Sequence, residues 1–92
     1  MIRSFRDRQT AEFYRGSRIR EFQSFEHQAR KRLRLLAAAR QLNDLTLLPS
    51  NRLEALRGDR KGQYSIRINL QYRICFEWSD GDAHNVEIVD YH

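Results

Sequence analysis

The chain has 92 residues and a mass of 11.1 kDa, with 32% charged and 40% apolar residues, which fits one domain with a single core. Its 17 Lys and Arg outnumber 12 Asp and Glu, for a formal net charge of +5 and a pI near 10.0. No apolar run approaches the roughly 18 residues of a membrane span, and residues 1–7 are too polar for a signal peptide. The lone Cys75 cannot form an internal disulfide, and three scattered His add no ligand pairs for a structural zinc. The expected compartment is the reducing cytoplasm, with no metal and no cofactor.

In chain order, residues 1–5 read as an edge strand. Asp7 is a fair N-cap for a short helix through about residue 15, ended by Gly16 and Ser17. The longest periodic stretch spans residues 24–42: Phe25, Ala29, Leu33 and Leu36 keep helical spacing, while Arg30, Lys31, Arg32, Arg34 and Arg40 take the other faces. Pro49 closes a loop, and Asn51 can cap one turn over residues 52–56. The period then changes from helical to two. Tyr64, Ile66 and Ile68 alternate with polar residues, and so do Tyr72, Ile74, Phe76 and Trp78. Leu70 and Gln71 join these two strands. A turn at residues 79–82 leads to a third strand over residues 85–91. The class is α+β, a small, mostly antiparallel sheet packed on two N-terminal helices, and the domain is residues 1–92.

This layout separates packing residues from free ones. If Tyr72, Ile74, Phe76 and Trp78 face the helices, Arg73 faces away, and so does Arg67 on the neighbouring strand. Either they form cross-strand ion pairs with Glu77 or Glu87, or they make an anion-binding groove. The basic set is 15 Arg and 2 Lys, and Arg grips phosphate and stacks on bases where Lys is a hydrated point charge. Such a surface suits a polyanion; a solubilising surface has the same composition. Arg52, Arg57, Arg60 and Lys61, flanked by Gly58 and Gly62, form a second basic stretch able to follow a phosphate backbone, or simply a charged turn. Asp90, Tyr91 and His92 bring three proton-handling groups together after an apolar strand. A neighbouring carboxylate raises a His pKa from its usual value of about 6.5. Cys75, His27 and His84 read as passive.

These residues carry a resemblance. Leu56-Arg57-Gly58-Asp59-Arg60-Lys61-Gly62, Ser65-Ile66-Arg67-Ile68-Asn69, Gln71-Tyr72-Arg73 and the closing Asp90-Tyr91-His92 resemble the HigB-type host-inhibition toxins of the RelE superfamily. The match is strongest over about the last 40 residues. The resemblance implies a RelE-like fold and a ribosome-dependent endoribonuclease that cleaves mRNA in the A site. It implies a cognate HigA-like helix-turn-helix antitoxin as partner, with DNA reached only through that antitoxin. The family's functional positions fall on Arg57, Arg73, Asp90, Tyr91 and His92. Many relatives carry a His where this chain has Glu54 and a Lys where it has Arg57. Glu54 can accept a proton there but cannot carry positive charge, which leaves the general base unassigned.

The expected catalytic set is therefore Arg73, Asp90, Tyr91, His92 and Glu54, and the expected RNA contacts are Arg52, Arg57, Arg60, Lys61 and Arg67. RNA supplies its own nucleophile, the 2′-hydroxyl. His92, assisted by Asp90, would move protons; Arg73 and Arg57 would hold the charge gathered at phosphorus; Tyr91 would stack on a base or hold the phosphate. The competing class is a basic RNA- or ribosome-binding inhibitor without catalysis.

Overall fold

The computed structural model describes residues 1–91. Asp7 takes extended backbone angles, and its carboxylate accepts the Thr10 amide at 3.2 Å, which starts α1 (Arg8–Tyr14). Arg30 finishes that helix from a distance. Its guanidinium lies 4.0 Å from the Phe13 ring and donates to the carbonyls of Phe13 and Ser17 at 2.7 and 3.2 Å. A 3-10 turn (Arg20–Phe25) leads into α2 (Glu26–Ala38), which buries Ala29, Leu33 and Leu36.

That helix is shorter than its periodicity predicts. Phe25 has a non-helical φ of −132°, so the chain before it keeps its tighter turn. At the other end the Asp44 carboxylate accepts the amides of Arg40 and Gln41 at 2.9 and 3.0 Å. A local side-chain cap thereby replaces helical bonds and opens a new 3-10 turn, Leu42–Thr46.

The sheet has four antiparallel strands in the order β1 (Glu54–Ala55), β2 (Tyr64–Arg67), β3 (Tyr72–Ser79) and β4 (Asp82–Asp90). Residues 52–56, expected as a capped turn, contain β1 instead. Asn51 does not cap a following helix; it is buried, donates to the Leu45 carbonyl at 3.0 Å and accepts from Arg32 at 2.6 Å. Arg52 then turns left-handed, with φ 48°, and delivers the chain to the sheet.

β4 starts earlier than expected because a bulge hides its period. Glu87 pairs with Cys75 and His84 with Glu77, so Asn85 and Val86 together oppose Phe76. Asn85 has φ 51°, and its amide donates to the Ser4 hydroxyl at 2.9 Å. The N-terminal segment covers the outer edge of β4 through parallel bridges at Ile2–Ala83 and Phe5–Val86. That closes an edge that would otherwise expose unpaired backbone.

The helices cover one face of the sheet. Phe13, Phe25, Leu33 and Leu36 meet Ile66, Ile74, Phe76 and Val86 in one core, and the Phe25 ring stacks on Tyr72 at 4.3 Å. Burying each such side chain contributes about 1.5–3 kcal/mol. Among the described residues, no helix is long and apolar enough to cross a membrane. The other face of the sheet carries the candidate site.

Candidate active site

Register decides which side chains meet on the helix-free face. One row across the sheet is Glu54, Ser65, Cys75 and Glu87; the next is Arg67, Arg73 and Val89. Side chains on a strand alternate between faces, so these two rows project together, away from the helices.

Arg73 sits in the middle of this face and is 9% exposed. Its Nε donates to Ser65 Oγ at 2.7 Å, one terminal nitrogen donates to the Arg52 carbonyl at 2.5 Å, and the other lies 3.4 Å from a Glu54 carboxylate oxygen. A buried charge needs such partners, because removing it from water unpaired costs several kcal/mol. Glu77 and Glu87, weighed as partners on sequence grounds, pair with Arg6 and Arg60 instead. The ion-pair alternative thus holds for Arg73 with a different carboxylate. Sequence reasoning did not single out Ser65 as the residue that holds Arg73. Its signal was available: a small polar residue at the centre of an apolar strand, on the same face as Arg67.

Two clefts open on this face, the first of them lined by Arg73. The first, about 330 Å³, is lined by Arg52, Glu54, Arg67, Arg73 and Tyr91, among others. The second, about 580 Å³, is lined by Glu54, Arg57 and Tyr91 with Ala55 and Leu56. Glu54 and Tyr91 line both. Among the described residues, four guanidinium groups against one carboxylate make a strongly positive, concave surface. Arg67 donates to the Asn69 carbonyl at 3.2 Å, which steadies its rim position. Tyr91 is 39% exposed and its amide donates to the Gln71 carbonyl at 2.7 Å, so its ring stands beside the clefts on a tied backbone.

The remaining expected site residues lie elsewhere. Asp90 pairs with Tyr72 and shares the opposite face with Ile88; its carboxylate accepts from Gln71 at 3.0 Å. Arg60 turns inward, donating to Gln63 at 3.0 Å and pairing with Glu87 at 2.8 Å, and its pKa is raised first by that bond. Lys61 lines a separate depression of about 520 Å³ with Glu77, Trp78 and His84. His92 lies outside the described residues. Cys75 is fully buried, and burial pushes its thiol pKa up, away from the reactive thiolate. His27 is exposed, and a His84 ring nitrogen lies 3.4 Å from the Ser79 carbonyl.

The fold has solved counterparts. Over its whole length, and over 98% of the matched chain, it superimposes with a TM-score of 0.63 on a chain of the YoeB–YefM complex from Staphylococcus aureus, at 23% identity. The YoeB dimer from the same organism matches with a TM-score of 0.57 at 21% identity, covering 99% of this chain and 97% of that one. In sequence, the chain is 39% identical over 87 residues to Toxin HigB-1 of Vibrio cholerae serotype O1, covering 92% of each protein. It is 42% identical to Endoribonuclease HigB of Proteus vulgaris over 41 residues, or 45% of each. Residues 3–92 match the model of one family, the RelE-like HigB toxins of type II toxin–antitoxin systems. The chain belongs to that HigB-like toxin family.

Proposed function

We propose that this toxin is a ribosome-dependent endoribonuclease that cleaves translated mRNA in the A site and so stops translation and growth. The observation that carries the reading is Arg73: a nearly buried guanidinium, fixed by Ser65 and the Arg52 carbonyl, at the floor of an arginine-lined cleft with an exposed tyrosine at its edge. The name of the Proteus vulgaris relative supports the same activity.

The chemistry follows from charge and geometry. The RNA 2′-hydroxyl loses a proton and its oxygen bonds to the adjacent phosphorus. The bond to the 5′-oxygen breaks, and that oxygen takes up a proton. The products are a 2′,3′-cyclic phosphate and a 5′-hydroxyl. Negative charge gathers on the phosphoryl oxygens at the midpoint, where Arg73 and Arg57 hold it. Preorganised charge of this kind is worth about 10²–10³-fold per donor in measured cases. Arg73 reaches its phosphate when the phosphate takes the place of Glu54, the most loosely held of its three partners at 3.4 Å. The released Glu54 carboxylate is then placed to accept the 2′-hydroxyl proton. His92, following directly on Tyr91 in the sequence, is assigned the proton for the leaving oxygen, with Asp90, at the end of β4, assisting through its charge rather than by contact with RNA. Tyr91 stacks on a base, and Arg52, Arg67 and Lys61 follow the phosphates. RNA brings the nucleophile and arginine neutralises the charge, so the reaction as drawn runs without a metal.

The ribosome supplies what so shallow a cleft cannot, a strand splayed into in-line geometry. A HigA-like helix-turn-helix antitoxin neutralises the toxin, DNA is reached only through that partner, and the site of action is the cytoplasm. The test is cleavage on programmed ribosomes by Arg73→Ala beside the unaltered protein. Loss of cleavage with ribosome binding retained is the expected result. Unchanged growth inhibition by a protein that never cuts would make it a binding inhibitor instead.

A further inference from the structure

Among residues 57–62, Arg60 alone is not exposed. This segment joins β1 to β2 and has few ties of its own: backbone bonds from Arg60 to Arg57, Lys61 to Gly58 and Gln63 to Arg60, at 3.0–3.2 Å. Gly58 and Gly62, with φ of 64° and 95°, let it fold back over the sheet. Among the described residues, its one long-range anchor of charge is Arg60, which crosses Cys75 to reach Glu87 on β4 at 2.8 Å. The small, fully buried Cys75 leaves room for that crossing. Arg6 pairs with the same Glu87 oxygen at 3.4 Å and reaches Glu77, which also accepts from Asn85 at 3.2 Å. The Glu87 side chain is 16% exposed, so it is held between two arginines and shielded from solvent.

The placement of this pair gives it a role. Arg57, at the start of the segment, and Tyr91, four residues beyond Glu87 on the same chain, stand on the walls of the wider cleft. The Arg60–Glu87 pair ties the segment that begins at Arg57 to the strand that runs on into Tyr91. We infer that Arg60 is a positioning residue: its clasp on Glu87, braced by Arg6, fixes the distance between Arg57 and Tyr91 and so the width of the cleft that takes RNA. The inference rests on the RNA-cleaving reading of that cleft. It moves Arg60 from direct RNA contact, expected from sequence, to support of a neighbour that makes one.

The test is single-turnover cleavage on programmed ribosomes, with binding measured over a range of salt. Arg60→Met keeps the length and apolar stem of the side chain and removes the clasp. It is expected to lower kcat/KM by about tenfold to a hundredfold, the scale of a displaced catalytic contact. Residues acting as one unit are not additive. In an Arg57→Ala background, Arg60→Met should therefore cost less than about threefold more. The salt slope of binding should stay that of the unaltered protein, whereas loss of a direct phosphate contact lowers it by about one. Full multiplication of the two effects, or a reduced slope, overturns the inference. If Arg60→Met fails to fold, Glu87→Gln, which keeps size and an acceptor, must show the same loss without unfolding. Arg73→Ala separates the two claims. If it cuts normally, the RNA-cleaving reading falls. If it is inactive while Arg60→Met and Glu87→Gln match the unaltered protein, only the clasp falls.

Discussion

Removing one oxygen atom from the middle of the sheet should slow the reaction without removing any group that touches RNA. Ser65 is fully buried, and its hydroxyl accepts from Arg73 Nε at 2.7 Å. Ser65→Ala keeps the Cβ and the backbone pairing with Glu54 and Cys75. Arg73 retains the Arg52 carbonyl and Glu54, so its charge is not orphaned. A hydrogen bond to a charged group contributes about 1.5–3 kcal/mol, and the two surviving contacts favour the lower figure. In a domain of this size, about 1.5 kcal/mol lowers the Tm by about 6–12 °C. If the same loosening is felt when charge gathers at phosphorus, kcat falls about tenfold, since about 1.4 kcal/mol is a factor of ten in rate. The assay is single-turnover cleavage well below both melting transitions, beside a thermal melt. A lowered Tm with unchanged kcat would refute the reasoning, for it would mean that RNA, not Ser65, sets the position of the guanidinium.

Glu54→Gln should lower cleavage less than Arg73→Ala in the same assay, because the amide keeps an acceptor beside Arg73 whereas the alanine removes the charge that holds the phosphate; equal loss would make Glu54 the indispensable base. Ribosome affinity should fall steeply between low and moderate salt, and Arg57→Ala should reduce the slope of log K against log salt by about one, as measured by filter binding. Asp44 is held below the usual carboxylate range by the backbone amides of Arg40 and Gln41, despite an opposing cost of burial. Its stabilising contribution is full above the unfolded value of about 3.9 and is lost as pH falls through the lower folded value. The Tm gap between the protein and Asp44→Asn should therefore be constant near neutral pH and close in acid; a gap that persists at the lowest pH would refute this.

The elements legible in the sequence were those whose burial repeats with a fixed period. Ala29, Leu33 and Leu36 marked α2, and Ile74 and Phe76 marked the inner face of β3, which by alternation put Arg73 on the outer face. β1 was not legible, since Glu54 and Ala55 are both exposed and two residues show no period. The start of β4 was masked by the bulge at Asn85, where one extra residue shifts the alternation. In the site, residue type and alternation were enough to place Arg67 and Arg73 side by side. Which carboxylate meets which arginine was not legible, because that depends on the register of four strands. Register gives Glu54 to Arg73 and Glu87 to Arg60, and it puts Asp90 on the face away from Arg73.

The central claim is that a fixed guanidinium at Arg73 drives cleavage of ribosome-bound mRNA. The most direct measurement is the chemistry of the cut ends: a defined mRNA on programmed ribosomes, incubated with the protein or with Arg73→Ala, and its fragments mapped. The expected result is a cut in the A site leaving a 2′,3′-cyclic phosphate and a 5′-hydroxyl, with Arg73→Ala slower by about 10²-fold or more while still bound to the ribosome. A 5′-phosphate on the downstream fragment, or equal cutting by Arg73→Ala, would contradict it.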